Sequence, residues 1–563
     1  MLQMVNVARY LLGMSRGIRM SRLTLWGVIG TGLASGLAMA GLVGVINALI
    51  SRGGPPSAAL MWAFVALVIL RPALRFVSQV LLLRLTEHSF YVLRVDLCRR
   101  ILATPMRHLE ELGRAKLMAG LSTDVGQIAG AVVLMPQLMM HLAVVVGFVV
   151  YLWWLAWPLL PVLLAVTALG WVSFNWALNR AVEKTALGRE LYDKVFQGLR
   201  AVIEGTKELK MHGARRDQFM AEFDATSRRH RREIRHSDVA LAWLATWSEM
   251  LFFLAIGLFL FVTPRFIQVE PAVLSSYVLA VLMLRTPVEA LNNGLPVLSQ
   301  SAVAIKKVEQ LTADLTARGG DTGEHTPVVP GNAWRSLEMV DVTHAYWREQ
   351  EDEAFQMGPI NLSFVPGELV FIVGGNGSGK TTLAKILLGI YAPESGEIRL
   401  DGRAVTDEER DRYRQHFSVV FSDFYLFDEL MGMASPELDQ RAQAYLRRLH
   451  LQHKVQVREG RLSTTDLSTG QRKRLALLGA YLEDRPIYLF DEWAADQDPV
   501  FKDVFYTQLL PELRAAGKTV IAISHDDRYY AAADRIVRLE NGGVAYDGAP
   551  GDYVPAALAL EAV

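Results

Sequence analysis

Over the first 311 residues, long apolar runs alternate with basic segments. From Thr24 to Ile50 there is no Asp, Glu, Lys or Arg. A helix needs roughly 20 apolar residues to cross a bilayer core. This run exceeds that length, is too long for the apolar core of a signal peptide, and lacks a convincing cleavage site. Five further runs follow at Ser57–Leu83, Gln127–Trp153, Ala156–Trp176, Val239–Val262 and Pro271–Val288, so six transmembrane helices are predicted. The polar positions sort the connections between them. Arg9, Arg16, Arg19 and Arg22 precede the first run, 84–126 holds seven Lys/Arg and 177–236 holds fourteen. The intervening turns carry only Arg52, no basic residue near Leu155, and only Arg265. Positive residues gather on the cytoplasmic side, which places both termini and both long loops there.

The long loops mix apolar and charged residues at helical spacing through Tyr91–Met106 and Arg189–Phe223, so they read as helices continuing beyond the membrane. Ala302–Leu311 reads as one more helical stretch. The segment 312–332, with Gly319, Gly320, Pro327, Pro330 and Gly331, has linker composition. From about Ala333 the pattern changes to short apolar strands, Leu369–Val373, Phe417–Phe421, Ile487–Phe490 and Thr519–Ile523, alternating with helical segments. The organisation is a transmembrane domain (1–311), a linker (312–332) and an α/β domain (333–563).

Composition agrees with a membrane protein carrying a soluble domain. Of 563 residues, 51% are hydrophobic, and the mean hydropathy is +0.21. Lys+Arg and Asp+Glu number 58 each, which gives no support to a nucleic-acid binder or an acidic disordered tail. Cys98 is the single cysteine, so an internal disulfide and a cysteine zinc site are excluded.

The chemistry lies in the second half. Gly374-Gly375-Asn376-Gly377-Ser378-Gly379-Lys380-Thr381 fits the P-loop pattern, with a strand before it and a helix, Thr382–Ile390, after it. Backbone N–H groups and the helix N-terminus suit phosphates. Lys380 is expected to reach the β- and γ-phosphates and Thr381 to ligate Mg²⁺. Roughly 110 residues later, Pro486-Ile487-Tyr488-Leu489-Phe490 ends in Asp491-Glu492. That buried strand with a terminal acidic pair suits a Walker B site, with Asp491 toward Mg²⁺ and Glu492 polarising the attacking water.

Leu467-Ser468-Thr469-Gly470-Gln471 resembles the signature of ABC transporter ATPase domains, with Thr469 where a glycine is usual. The resemblance covers the whole chain. Six spans, two long cytoplasmic loops and a C-terminal ATPase look like a type IV ABC exporter half-transporter. Leu109–Ile128, with Gly113 and Ser122-Thr123-Asp124-Val125, is similar to that family's first coupling-helix region, and Gly205–Phe223, with Glu208, Lys210 and Phe219, to its second long loop. By resemblance Tyr346 stacks on adenine, with Trp347 as the neighbouring alternative. Asp498 is the D-loop aspartate, and His525 is the switch histidine at the γ-phosphate. Gly374, Asn376, Gly377, Ser378, Gly379, Lys380, Thr381 and Thr382 hold ATP, and Ser468, Gly470 and Gln471 close over the ATP of a partner. The family's magnesium-contacting glutamine is absent. Ser422 stands at its position in Val419-Val420-Phe421-Ser422-Asp423-Phe424-Tyr425-Leu426-Phe427, and Ser422 and Asp423 are the alternatives for its role. Ser422-Asp423-Phe424, the signature followed by Arg472-Lys473-Arg474, and Phe490-Asp491-Glu492-Trp493 together resemble the bacterial cyclic-peptide and siderophore exporter subfamily, which includes the syringomycin and pyoverdine-precursor exporters.

The resemblance implies a six-helix membrane domain followed by an α/β P-loop ATPase domain. It further implies ATP and Mg²⁺ as cofactors, a second copy as partner with a heterodimer as the alternative, and an inner-membrane location with a cytoplasmic ATPase. The expected cargo is a cyclic peptide, lipopeptide or peptide siderophore; lipid or hydrophobic drug cargo is the alternative. A soluble ATPase acting on ribosomes or DNA conflicts with six spans and consistent loop charges. Charges within spans are costly and usually face a cavity or a partner. Arg71, Arg75, Glu249 and Arg285 are therefore expected to line a polar cavity of net positive charge that favours anionic cargo, a Glu249–Arg285 helix lock being the alternative.

Overall fold

The apolar runs of the first half form six long helices among the described residues of this computed structural model: α1 (Arg19–Ser51), α2 (Ala58–Ala103), α4 (Val125–Ala156), α5 (Leu160–Glu204), α7 (Gly213–Gly257) and α8 (Pro271–Thr316). The short helices α3 (Met106–Leu112) and α6 (Thr206–Met211) stand in the two long loops. The structure describes residues 19–51, 57–267, 270–316, 334–348, 353–433 and 435–553. Arg9, Arg16 and most of the expected linker lie outside them. Among the described residues, five helical stretches are long and apolar enough to cross a membrane. One of these, Arg114–Gly170, is 57 residues long and is broken by a 3₁₀ turn at Trp157–Leu159. That break separates α4 from α5, so the five stretches hold all six predicted runs. Pro158 lacks the N–H that would continue α4.

The chain divides into two compact units, residues 1–96 with 118–310, and residues 97–117 with 311–563. The helix α3 therefore belongs to the second unit, although the sequence placed it in the membrane domain. The helix α8 runs through Thr316, five residues into the expected linker.

In the first unit Phe148, Leu152, Leu159, Phe259, Tyr277 and Ala280 are fully buried together. The last carbonyls of a helix have no partner within it. At the end of α4, Ala156 O finds one in Tyr277 of α8, whose hydroxyl donates to Ala156 O and to Leu152 O, each at 3.0 Å.

The second unit holds a small antiparallel sheet, order β2-β1-β4-β5, from β1 (Leu337–Arg348), β2 (Glu353–Phe364), β4 (Ser395–Leu400) and β5 (Arg403–Ala404). A hairpin pairs β7 (Val457–Arg458) with β8 (Arg461–Leu462). The main sheet has the order β12-β11-β3-β10-β9-β6. It is built from β3 (Leu369–Gly374), β6 (Phe417–Val420), β9 (Ile487–Asp491), β10 (Thr519–Ile523), β11 (Arg535–Glu540) and β12 (Gly543–Gly548). All its pairs are parallel except β11 with β12. Every residue of β9 and β10 is buried, which explains why these strands read as unbroken apolar runs. The neighbours β3, β10 and β9 end on one edge of the sheet. A parallel sheet offers its ligand site at that carboxyl edge, and the three ends deliver the P-loop, His525 and the Asp491-Glu492 pair.

Replacing Tyr277 with Phe should leave the last carbonyl of α4, Ala156 O, without its tyrosine donor in apolar surroundings, at a cost of about 1–3 kcal/mol. The expected outcome is a lower thermal midpoint in detergent; an unchanged midpoint would show that the hydroxyl does not hold α4.

Candidate functional site

The P-loop leaves β3 at Gly374 and enters α9 (Lys380–Leu387). Gly377 (φ 78°) and Gly379 (φ 99°) take left-handed backbone conformations that glycine adopts without penalty. At Gly379 an added Cβ would also lie 2.5 Å from Met357 Cε. Lys380 is 5% exposed, and its ammonium donates to Gly374 O (3.1 Å) and Gly375 O (2.9 Å). Burial lowers its pKa, while Glu492 and Asp491 pull the other way. The Ser378 hydroxyl is buried with no protein partner. A buried orphan hydroxyl beside a buried ammonium at a helix N-terminus fits an anionic ligand such as a phosphate.

Asp491 ends β9 and is 0% exposed. Ser422 Oγ donates to its Oδ2 at 3.2 Å and Thr381 Oγ1 to its Oδ1 at 3.4 Å. Burial raises its pKa; the Ser422 and Thr381 hydrogen bonds oppose that. One carboxylate and two hydroxyls form the oxygen set that a hard cation such as Mg²⁺ takes, usually alongside waters and substrate phosphates. These residues fit the ion. Of the two alternatives for the missing glutamine, Ser422 stands at Asp491, whereas Asp423 is exposed and points to Arg114 at 3.7 Å.

Glu492 follows with φ 48°. A non-glycine residue held there stores about 1–3 kcal/mol. Its Oε1 lies 2.9 Å from His525 Nε2 and 4.0 Å from Lys380 Nζ. The three side chains expected to act on the phosphate thus converge from three different strands.

The signature opens α11 (Thr469–Glu483) with a capping box. Ser468 Oγ accepts from Gln471 N, and Gln471 Oε1 accepts from Ser468 N. Asp498 caps α12 (Pro499–Val504), accepting from Phe501 N at 2.9 Å. That bond, helped by Arg474, holds its carboxyl below the usual range. Tyr346 lies in β1 opposite Phe355, but its side chain and that of Trp347 fall outside the described residues. Thr382, Gly374 and Asn376 stand in the loop and helix as expected.

The sequence singled out the coupling region without naming its contacts. In α3, Glu110 Oε1 accepts from Lys385 Nζ at 2.9 Å, and the Tyr391 hydroxyl donates to Glu110 Oε2. Arg107 pairs with Glu394 at 2.8 Å. Burial opposes the charge on Lys385, but hydrogen bonds to Glu110 and Tyr391 outweigh it and raise its pKa.

The expected cavity requires correction. Arg285 Nη2 lies 2.8 Å from Glu249 and its Nε 2.8 Å from Glu289. This cluster holds two carboxylates and one guanidinium, so it is net negative and ties α7 to α8. An arginine among apolar helices gathers carboxylates, and Glu289, one turn beyond Arg285, completes the set. Arg75 lines a separate pocket of about 250 Å³ with Gln79 and Gln137, while Arg71 O accepts from Ser35 Oγ at 3.4 Å. The arrangement found at Glu249 and Arg285 is thus the helix lock named as the alternative. A larger, mostly apolar cavity of about 670 Å³ lies among α4, α5, α7 and α8, lined by Val145, Leu164, Trp247, Leu251, Leu284 and others.

Comparison with known proteins follows the same division. Residues 25–286 match the model of the ABC transporter transmembrane region and residues 357–495 that of the ABC transporter family. The chain is 36% identical over 529 residues to the ATP-binding protein SyrD of Pseudomonas syringae pv. syringae, spanning 92% of this chain and 93% of that protein. It is 25% identical to an ATP-dependent lipid A-core flippase of Bordetella avium (strain 197N), over 86% and 83% of the two chains. Its fold matches that of a bacterial Atm1-family ABC exporter solved with ATP bound, with a TM-score of 0.69, 19% identity, and 94% and 96% of the chains covered.

Ser422→Ala should remove one of the hydrogen bonds that lower the Asp491 pKa. The acid limb of the ATPase pH profile should then move to higher pH, and metal affinity should fall by about tenfold. An unchanged profile with unchanged Mg²⁺ dependence would exclude Ser422 from the site.

Proposed function

The chain belongs to the ABC transporter family, as an exporter that joins a transmembrane region to an ATPase domain, and on that premise we propose that two copies form a homodimer in the bacterial inner membrane. Its ATPase domains lie in the cytoplasm and bind ATP with Mg²⁺. Each P-loop holds a nucleotide that Ser468, Gly470 and Gln471 of the second copy close over. Closing two ATPase domains on two nucleotides gives the membrane helices two arrangements to alternate between, and α3, gripped by Lys385 and Tyr391, carries that movement.

The observation that carries this reading is the convergence of Glu492, His525 and Lys380 beside the buried Asp491. Glu492 orients the attacking water and takes its proton as the bond to the γ-phosphorus forms and the bond to the β-phosphate oxygen breaks. His525 holds the Glu492 carboxylate and faces the γ-phosphate. Lys380, itself buried, neutralises phosphate charge, and burial strengthens its effect. Thr381, Asp491 and Ser422 would hold Mg²⁺, which supplies further neutralisation of the phosphate oxygens. Tyr346 stacks on adenine, and Asp498 stands at the boundary with the second copy.

For cargo the reading is a cyclic peptide, lipopeptide or peptide siderophore. Likeness to SyrD over nearly the whole chain supports it, as does the apolar cavity, whose volume suits the greasy part of an amphiphile. The flippase likeness favours lipid as the second reading.

Glu492→Gln should retain ATP binding and lose turnover by about 10²-fold or more. Hydrolysis at the wild-type rate would remove Glu492 from its role. In nanodiscs, lipopeptides should stimulate wild-type ATPase more than lipid A does; the reverse order would favour the lipid reading.

A further inference from the structure

The buried ammonium of Lys473 has no part in the chemistry above. It stands one turn into α11, directly after the signature, and is 4% exposed. It reaches across to the residues that follow β9. Its Nζ donates to Glu492 O at 3.3 Å and pairs with Asp496 Oδ2 at 2.7 Å. In the opposite direction, the Trp493 indole N–H donates to Lys473 O at 2.7 Å. One residue of the signature helix therefore makes three contacts with the five-residue run that begins at Glu492. The next positions extend the seam. Gln497 Nε2 donates to Gly470 O at 3.0 Å, and Arg474 Nε donates to Gln497 Oε1 at 2.9 Å.

A buried ammonium is retained only with a counter-charge and hydrogen-bond acceptors. Lys473 finds both on the segment whose first residue, Glu492, is held at φ 48°. A left-handed glutamate persists only where its surroundings over-determine it, and the carbonyl that Lys473 grips is the one bounding that conformation. The carboxylate at the other end of the same residue meets His525.

We infer that Lys473 is a positioning residue that locks Glu492 in its catalytic conformation and makes the signature helix and the hydrolytic carboxylate of one chain move as a single body. This rests on the proposed function, in which the signature serves the partner's nucleotide while Glu492 serves its own. Closure of the signature on one ATP then resets the carboxylate at the other, so the two sites of the dimer communicate through Lys473.

The test is steady-state ATPase of the full chain in nanodiscs with Mg-ATP. Lys473→Met should lower kcat by about tenfold or more, since small misplacements of a catalytic group cost this much, with KM for ATP within about twofold. Lys473→Gln, which keeps a donor, should recover part of the loss. On a Glu492→Gln background Lys473→Met should cost nothing further, because a residue acting only through Glu492 has nothing left to position. Wild-type kcat in Lys473→Met, a rise in KM matching the fall in kcat, or full additivity with Glu492→Gln would overturn the inference. Should Lys473→Met fail to fold, Asp496→Asn carries the test: a lower kcat that vanishes on the Glu492→Gln background supports the inference, and wild-type kcat overturns it. Wild-type turnover in Glu492→Gln alone would instead overturn the assignment of the base.

Discussion

A carboxylate with no solvent access sits at the end of β9, and the ATPase unit is arranged around it. Burying a charge costs several kcal/mol unless partners compensate. Among the described residues Asp491 accepts from the hydroxyls of Thr381 and Ser422 and from the Ser422 backbone N–H, with the single ammonium of Lys380 close by. This is too little positive charge for a carboxylate beside a second acid, Glu492, and the imbalance is what makes the pocket a receptor for a cation. On the proposed reading the P-loop, the Ser422 segment and the strand end would share one ligand, a nucleotide with its metal.

From that point the architecture extends in two directions. Along α9, Lys380 stands at the phosphate end and Lys385 at the other, five residues or about 7.5 Å away. Lys385 and Tyr391 grip Glu110 of α3, so a short rigid helix joins nucleotide to the coupling region within one compact unit. Along the chain after Asp491, the run 492–498 is bound to the signature helix through Lys473, Arg474 and Gln497. On the proposed reading, signature and hydrolytic carboxylate are then parts of one body, which would link two sites shared between two copies.

Much of this was legible in the sequence because the physics is local. Six apolar runs need nothing but length, and a P-loop needs glycines where φ is positive and a lysine after them. The strands β3, β9 and β10 read as apolar runs, with Asp491 at the end of β9 and Thr519 at the start of β10, because both faces are covered. The remainder depends on contacts distant in sequence. Lys473 entered the sequence reading only as part of Arg472-Lys473-Arg474 after the signature; it shares a helix face with Leu477, Ala480 and Tyr481, all buried, and that spacing was the available signal. Of the two readings the sequence left for Arg285, a positive cavity or a lock with Glu249, the lock is found, and Glu289, one turn beyond, was left out of the charge count. The placement of α3 with the ATPase unit could not be read at all, since nothing in residues 97–117 names its partners at 385–394.

The central claim is that each active site is built from two chains, and complementation between differently tagged copies tests it most directly. Co-expressed Lys380→Ala and Ser468→Arg chains, purified as the mixed pair, retain one site with an intact P-loop facing an intact signature. A wild-type chain paired with one carrying both substitutions retains none. The account predicts ATP hydrolysis in the first pair and background activity in the second. Hydrolysis in the second pair with none in the first would place each complete site within a single chain and contradict the account.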